Sequence, residues 1–332
     1  MILNYVKITL RVFGRNKLIS LINLFGLSIG IAAFVIILFY VDYELTFENF
    51  QPNHAHIYRI HLDKEYVGTP PPFGRLVARD FPQVESMARI GRSSWSEKIA
   101  VKVKDSYYYE NQFFFVDSSF FQTFDYELLL GNRKKVLNDA FTVVLNEKTA
   151  LKYFGRIDAI GETIEFNNRT YLVSGIAKNV PPNSHFHFDI LSSFKGARNS
   201  MYADLKKHWG MWNYFTYVKF SKNVSVEKFH DKLLKHAETE WIEYIGQDYE
   251  VSLYFQPIRK AHIELIRGNL ESPVNQKYLI IYTLVAIIIL IVASINFINL
   301  SIASSLRRAK EVGLRKVVGA VQNNIRNQFL SE

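Results

Sequence analysis

Two long uncharged stretches dominate the pattern of hydrophobic and polar positions in this sequence. Residues 18–41 and residues 278–306 contain no Asp, Glu, Lys or Arg. About 20 apolar residues in a helix are enough to cross the roughly 30 Å of hydrocarbon in a bilayer. Two runs of this length are not expected in the core of one soluble domain, so the pattern predicts two transmembrane helices. The first run ends without a small-residue cleavage pattern, and we interpret it as a retained anchor.

Between the two runs the periodicity is short and changes often, as in a folded domain. Alternation of apolar and polar positions predicts strands around Ile57 and over residues 101–116, and TYVKF at residues 216–220 is typical of a strand. The pair Asn167–Asn168 tolerates the positive φ of a tight turn, so we expect a hairpin there.

Helices are predicted at three places among these strands. One begins near Gly74 and closes at Phe81–Pro82, because the residue before a proline is disfavoured in a helix. LNEKTALKYFG predicts a second helix that ends at Gly155. The third covers residues 226–245, and its apolar face is formed by Phe229, Leu233 and Ala237.

Basic residues at the outer flanks of the two runs indicate the topology. Residues 1–17 contain four Lys or Arg and no acid, and residues 307–332 contain six Lys or Arg and two Glu, so each segment carries +4. The whole chain has a formal charge of +9, which leaves only +1 for the residues between the runs. By the positive-inside rule both ends lie in the cytoplasm and the middle lies outside. The predicted fold class is a membrane protein with two transmembrane α-helices flanking an extracytoplasmic α+β domain, which we expect to form two lobes.

The predicted organisation has five parts. They are a cytoplasmic basic amphipathic helix at 1–17, a transmembrane helix at 18–41, a periplasmic domain at 42–277, a transmembrane helix with a cytoplasmic extension at 278–306, and a cytoplasmic segment leading into a further span at 307–332. An unstructured basic tail is the alternative for the first part.

Composition and motifs argue against several kinds of function. The chain of 332 residues contains no cysteine, which excludes disulfides, thiolate zinc sites and a cysteine nucleophile. No G-x-x-x-x-G-K-[ST], G-x-S-x-G or H-E-x-x-H motif occurs, so we expect no enzyme activity and no cofactor in this chain. A nucleic-acid-binding protein would carry its basic surplus on the folded domain, whereas this domain is nearly neutral.

Histidines form the strongest candidates for a metal site. The two groups are His54, His56 and His61 after the first run and the H-x-H-x-D motif of residues 185–189. An H-x-H-x-D face could hold a metal ion. We interpret this motif instead as a strand end whose polar side faces water while Phe186 and Phe188 enter the core.

Small and polar residues inside the two runs predict contacts between helices. Gly26, Gly30 and Ala33 recur at helical spacing, and small residues at this spacing let another helix approach closely. Asn296 and Asn299 place amides in or near the lipid, where they are expected to face another helix instead of acyl chains.

The second run continues directly into a charged cluster. As a helix it would be about 43 Å long, so its last turns are expected to protrude into the cytoplasm. The sequence there reads SLRRAKEVGLRKVVGA, with Gly313 and Gly319 as expected bend points, and the apolar pattern of a further span begins after it.

This stretch resembles the signature of MacB/FtsX-type ABC transporter permeases, in which a second span leads through R-x-K-E-[VI]-G-[LIV]-R-K-x-x-G-A into a third. The segments that resemble the MacB-like periplasmic core of Bacteroidetes-type permeases read ELTFENFQPNHAHIYRI, FFFVDSSFFQTFDYELLLGN, ALKYFGRIDAIGETI and VPPNSHFHFDILSSF. The resemblance covers nearly the whole chain, and one departure is Ala159, where the family usually has proline. Members usually have four spans or a duplicated eight, so the chain resembles the N-terminal portion of a longer permease.

The resemblance implies a permease subunit in the bacterial inner membrane, multi-pass, that couples ATP hydrolysis by a separate cytoplasmic ABC ATPase to movements of its periplasmic domain. ATP and Mg would bind to that partner. Further implied partners are a second permease half in a homodimer or pseudo-dimer, a periplasmic adaptor and an outer-membrane channel. The segment expected to contact the ATPase comprises Arg308, Lys310, Glu311, Gly313, Arg315, Lys316 and Gly319.

Two other functions stay open at this point. A two-span sensor with an extracytoplasmic ligand domain would share the topology but would continue into a signalling output domain. An FtsX-like regulator of envelope hydrolases would share the fold and move no substrate. The last residues favour the permease over the sensor, and the choice among efflux, lipoprotein or peptide export and mechanotransmission stays open.

Overall fold

The computed structural model describes residues 17–92, 98–196, 209–240 and 252–317. The chain divides into two compact units, of which one contains the two long helices and the other is Glu44–Asn275. The predicted basic helix before residue 17 and the predicted start of a further span lie outside the described residues.

Six α-helices occur in the part of the chain that the structure describes. They are α1 Lys17–Leu45, α2 Phe73–Asp80, α3 Phe120–Thr123, α4 Glu147–Phe154, α5 Val226–Glu240 and α6 Gln276–Val317. Short 3-10 turns cover His54–His56, Phe194–Gly196 and Ile258–Lys260.

The first and last of these helices are long and apolar enough to cross a membrane. Leu24–Leu45 has a mean hydropathy of 2.6, and Gln276–Ile302 has 2.8. Most of their apolar side chains are exposed, which distinguishes them from the core helix of a soluble domain, whose apolar face is buried against other elements. The two candidate membrane helices thus flank the Glu44–Asn275 unit in the chain, as the sequence predicts.

Strands make up most of the Glu44–Asn275 unit. They are β1 Ile57–His61, β2 Val84–Arg92, β3 Ile99–Val103, β4 Ser106–Glu110, β5 Phe113–Val116, β6 Leu128–Leu130, β7 Thr142–Asn146, β8 Thr163–Phe166, β9 Arg169–Ala177, β10 Ile190–Ser193, β11 Tyr214–Phe220 and β12 Tyr254–Pro257. Within the described residues they form one mixed sheet in the order β12-β1-β11-β2-β5-β10-β7-β9-β8-β3-β4, with β6 pairing with β9. The pairs β10–β5 and β7–β9 are parallel.

Local signals predict several of these elements correctly. The hairpin of β8 and β9 turns at Asn167 and Asn168, which have φ of 49° and 57°. Helix α4 ends at Gly155 with φ of 69°, a left-handed conformation that glycine adopts without a side-chain penalty. At its start the Asn146 side chain accepts a hydrogen bond from the Thr149 backbone N–H at 2.7 Å.

Other elements differ from the predictions because periodicity does not reveal turns or pairing. The stretch 101–116 was predicted as one strand, but β3 and β4 pair as a hairpin and β5 lies elsewhere in the sheet. Its alternating pattern continues through the turn at Lys104, where φ is 54°. The two expected lobes belong to one compact unit, because β11, far along the chain, lies between β1 and β2.

An aromatic core fills one side of the sheet. It is centred on Phe120, Phe124, Tyr126, Phe186 and Phe188, all of which are buried. Phe120 packs edge-on against Phe188 with ring centroids 6.0 Å apart. Burial of each such side chain is worth about 1.5–3 kcal/mol, so this cluster fixes the segment that carries Phe186 and Phe188.

Candidate functional site

Three segments of the sheet domain meet where the chain enters and leaves the two membrane helices. We call residues 44–50 the first connector, residues 261–275 the second connector, and residues 183–187 the clasp segment. The first connector continues from the end of α1, and the second leads into α6. These two connectors are the covalent links between the long helices and the sheet domain.

The clasp segment leads towards β10. Phe186 and Phe188 are buried in the aromatic core, whereas His185 and His187 each direct Nδ1 to a carboxylate of one connector. The side chain of Tyr126 supports the backbone here, since its hydroxyl donates a hydrogen bond to the Phe186 carbonyl at 3.2 Å.

His185 and its neighbours hold the first connector through Glu48, which has no solvent exposure. One carboxylate oxygen of Glu48 accepts hydrogen bonds from the Ser184 hydroxyl at 2.9 Å, the His185 backbone N–H at 2.7 Å and the His185 Nδ1 at 2.7 Å. The Gln51 side chain donates to the other oxygen. Two backbone contacts add to this, because Glu48 N–H donates to the Asn183 carbonyl at 3.0 Å and the Asn183 amide donates to the Thr46 carbonyl at 3.1 Å.

These contacts decide the charge state of Glu48. Burial by itself opposes the charged carboxylate, but the pairing with His185 and the hydrogen bonds from His185 and Ser184 outweigh it and lower the pKa of Glu48. The stability that this group contributes is therefore present above its ordinary pKa of 4.5 and is lost as the pH falls through the lowered value.

A polar chain continues from His185 across the sheet. Its Nε2 lies 2.8 Å from the Tyr217 hydroxyl, and Tyr217 is fully buried on β11. Burial raises the pKa of Tyr217 to about 12, against the opposing effect of the Arg59 guanidinium that hydrogen-bonds it. Arg59 is also buried, and its Nε donates to the Gln256 side-chain oxygen at 2.9 Å. The first connector is thus linked to the central strands of the sheet.

His187 holds the second connector through Glu271. One Glu271 oxygen accepts from the His187 backbone N–H at 2.9 Å and from its Nδ1 at 2.6 Å, and the Nε2 of the same ring lies 3.0 Å from the Pro181 carbonyl. The hydrogen bond with Glu271 raises the pKa of His187 above its ordinary value, although burial acts in the opposite direction. Here the pair is partly open to water, with 24% of the His187 side chain exposed.

A third histidine joins the two connectors to each other. The Nε2 of His262 lies 2.5 Å from a Glu44 carboxylate oxygen, and its ring stacks on Phe47 with centroids 3.4 Å apart. The His262 carbonyl accepts from the Val274 backbone N–H at 2.7 Å. His262 lies at the start of the second connector, and Val274 at the end of that connector bonds to its carbonyl. His262 therefore ties both ends of the second connector to Glu44 of the first connector.

The histidine predictions from the sequence turn out differently for different residues. Phe186 and Phe188 enter the core as expected, but the expectation that His185 faces water is wrong, because its polar side is covered by the first connector and Tyr217. Asp189 bonds to the Asn146 side-chain amide at 3.2 Å. In the regions that the structure describes, no three His, Asp or Glu side chains form a set of metal ligands.

The residues predicted for helix packing lie along α1 and α6. Gly30 faces Ala293 so closely that a Cβ on it would lie 2.4 Å from the Ala293 Cβ, and a Cβ on Gly26 would lie 3.4 Å from the Asn296 amide nitrogen. Ala33 is half-buried, and Asn299 is exposed on α6. Small residues thus allow close approach of the two helices at Gly30.

Helix α6 extends beyond its candidate span into the predicted ATPase-contacting segment. The backbone is helical from Gln276 to Val317 and continues through Gly313, where the sequence suggested a bend. The predicted residues on this part of the helix are Arg308, Lys310, Glu311, Gly313, Arg315 and Lys316. Gly319 lies outside the described residues.

Comparison with known proteins gives the family. A family model described as the MacB-like periplasmic core domain matches residues 20–235. The chain belongs to this family. The predicted membership of the MacB/FtsX-like permeases is confirmed, and the MacB-type family together with the two apolar helices indicates an inner-membrane protein with an extracytoplasmic domain.

Individual MacB-like relatives share modest identity with this chain. The macrolide export ATP-binding/permease protein MacB of Neisseria gonorrhoeae is 26% identical over 203 residues, which cover 61% of this chain and 29% of the relative. The probable syringafactin export ATP-binding/permease protein SyfD of Pseudomonas syringae pv. syringae is 24% identical over 229 residues, covering 65% and 31%. The chain spans about three tenths of the length of these curated relatives.

A solved structure has the same MacB-like fold. A domain of a protein described as a permease from Porphyromonas gingivalis superposes with a TM-score of 0.53 at 19% identity, covering 70% of this chain and 99% of that domain. At this identity the likeness establishes the fold alone.

Proposed function

We propose that this chain is the transmembrane permease part of a MacB-type ABC transporter and passes movement between a cytoplasmic ATPase and its extracytoplasmic sheet domain. The observation that carries the proposal is the single helix α6, which begins directly after the second connector and runs without interruption from Gln276 to Val317. At about 1.5 Å per residue it is roughly 63 Å long, twice the hydrocarbon thickness of a bilayer.

Both ends of this helix suit such a role. At the outer end the second connector is bound to the clasp segment by His187 and to the first connector by His262. At the other end the sequence carries the basic segment that resembles the ATPase-contacting element of the family. The positive-inside rule assigns that end to the cytoplasm.

The proposed ATPase contact is the predicted segment around Gly313, which includes Arg315 and Lys316. The sequence contains no Walker loop, and the relatives named above combine ATP-binding and permease parts in one protein, so ATP hydrolysis belongs to a partner or another part of the transporter. A second permease half, a periplasmic adaptor, an outer-membrane channel and export of a substrate also belong to this proposal.

Charge reversal at the ATPase contact tests the proposal. With both Arg315→Glu and Lys316→Glu, we expect loss of co-purification with the ATPase, because the cationic contact becomes anionic, while membrane insertion is unchanged. The matched control reverses Lys102, which is half-buried, and Lys178, which is exposed, both paired with glutamates on the sheet domain, and should leave the complex intact. A complex that survives the Arg315 and Lys316 reversal would contradict the coupling role.

A further inference from the structure

The two clasp histidines differ in what faces their ring nitrogens. His185 has the Glu48 carboxylate at Nδ1 and the Tyr217 hydroxyl at Nε2. Burial keeps the proton on Tyr217, whose pKa is raised to about 12, so this hydroxyl can donate to Nε2. One acceptor and one donor are satisfied by a singly protonated imidazole.

His187 has an acceptor at each ring nitrogen. The Glu271 carboxylate lies 2.6 Å from Nδ1, and the Pro181 carbonyl lies 3.0 Å from Nε2. Neither oxygen carries a proton to donate, so both hydrogen bonds exist together only when both nitrogens are protonated. The arrangement therefore requires the imidazolium form, whose charge also strengthens the hydrogen bond to the carboxylate.

Exposure separates the two pairs further. The side chains of His185 and Glu48 are 3% and 0% exposed, whereas those of His187 and Glu271 are 24% and 35% exposed. Water can therefore reach the His187–Glu271 pair and hydrate its polar groups when the pair opens. Glu48 is also held by hydrogen bonds with Ser184, Gln51 and Asn183. The described side-chain hydrogen bonds of Glu271 are those with His187.

We propose that the His187–Glu271 pair is a proton-dependent latch on the second connector, closed when the imidazole carries two protons and open when it carries one, while the His185–Glu48 pair stays closed. Opening would release the second connector from the clasp segment and leave the first connector attached to it. The latch deepens the proposed function, because it sets when the second connector can move.

The surrounding charges give the direction of the pH dependence. Glu271 faces His187 directly, the carboxylate of Glu48 acts from the first connector, and Arg92 on β2 faces Glu271 and donates to the Leu270 carbonyl at 2.7 Å. The hydrogen bond that Glu271 accepts from His187, opposed by burial and aided by the charges of Glu271 and Glu48, raises the pKa of His187 above its ordinary 6.5. The stabilisation is then complete below that ordinary value and is lost as the pH rises through the raised pKa, so the latch opens on the alkaline side.

Because the chain has no cysteine, one introduced thiol can report on the latch. Leu270 precedes Glu271 and is 8% exposed, and Leu62 is also 8% exposed but lies in a different core cluster. We would label Leu270→Cys and, as the matched control, Leu62→Cys with an uncharged maleimide in the full chain in lipid nanodiscs without ATPase. Each rate is divided by that of the same denatured chain at the same pH, which removes the ionisation of the thiol itself.

The expected result is a rise of about tenfold in the normalised rate at residue 270 between about pH 6 and about pH 9, which corresponds to about 1.4 kcal/mol. No rise is expected at residue 62. In the His187→Gln background, residue 270 should label fast already at the lower pH, with no further rise. His187→Lys, which keeps a positive charge over this range, should restore slow labelling at both values.

A flat profile in the otherwise unchanged protein, or a step that persists in His187→Gln, overturns the latch. If Leu270→Cys does not fold, hydrogen exchange of residues 262–275 in the cysteine-free chain, corrected for intrinsic exchange rates, gives the same comparison at the same pH values. Since no ATPase is present, failure of the ATPase contact at Arg315 and Lys316 leaves this result unaffected, and the two proposals fail separately.

Discussion

Glu48 combines two unfavourable features in one residue. Its backbone has φ of 65°, in the left-handed region, which costs a residue with a side chain about 1–2 kcal/mol. Its carboxylate is also completely buried. The conformation aims the carboxylate at the clasp segment, and the hydrogen bonds from Ser184, His185 and Gln51 compensate for the loss of water.

Glu48→Gln should therefore destabilise the protein strongly. The new amide would bring a donor against the Gln51 amide or the His185 N–H, and each buried polar group left without a partner costs about 1–3 kcal/mol. Chemical denaturation of the detergent-solubilised chain, followed by tryptophan fluorescence, measures the change. The difference between the two proteins should shrink as the pH falls through the lowered pKa of Glu48.

Glu127→Gln is the control for this change. Glu127 is 58% exposed and pairs with Lys178, and an exposed ion pair contributes about 0–1 kcal/mol. Equal destabilisation by the two substitutions would show that the burial of Glu48 has no special energetic weight.

The sequence pattern of residues 185–189 predicts which side chains enter the core, but it does not predict the partners of the histidines. The alternation in residues 185–189 correctly separated the phenylalanines from the histidines, because period two is a local property. It could not reveal what covers the histidines, because Glu48 and Glu271 are 137 and 84 positions away from their partners. The sequence feature that could have pointed to this contact is Glu48, an acidic residue between Phe47 and Phe50 shortly after the apolar run of residues 18–41.

At the scale of elements, close approach of α1 and α6 depends on one glycine. Gly30 is buried against Ala293, and a Cβ there would lie 2.4 Å from the Ala293 Cβ. Near the outer ends of the two helices, Tyr40 and Tyr282 meet edge-on with centroids 5.9 Å apart. Without a hydrophobic driving force inside lipid, such packing contacts are a main source of helix association.

Gly30→Ala should separate the two helices, whereas Gly26→Ala should not. The added methyl overlaps Ala293 at residue 30, but at residue 26 it meets the Asn296 amide nitrogen at an ordinary 3.4 Å. Cross-linking of a Tyr40→Cys and Tyr282→Cys pair with a short reagent reports on the separation. We expect a lower yield with Gly30→Ala and an unchanged yield with Gly26→Ala, and equal yields would contradict the packing described.

Elements with local end signals were predictable, and their arrangement was not. Gly155 and Asn167–Asn168 determine a helix end and a turn through their own backbone preferences. The pairing of β11 with both β1 and β2 joins residues more than a hundred positions apart. Such a register is selected by the burial of complementary faces. The pattern of a single sequence does not show which faces are complementary.

For the molecule as a whole, the proposed function requires that α6 is a rigid helix. Ala303→Pro should break the helix just past the candidate span, since an interior proline costs about 3 kcal/mol and removes a backbone hydrogen bond. We expect the ATPase still to co-purify, while an ATP-dependent change in the labelling of Leu270→Cys is lost. Ala303→Ser is the control, and transmission that persists through Ala303→Pro would show that α6 does not carry the movement.

His185 and His187 attach the two connectors to neighbouring positions of the clasp segment. They stand two residues apart, so the anchor points of the two connectors are separated by at most about 7 Å of backbone. Both connectors are therefore attached to neighbouring residues of the sheet domain, so a single substitution in residues 183–187 is able to weaken both attachments at once.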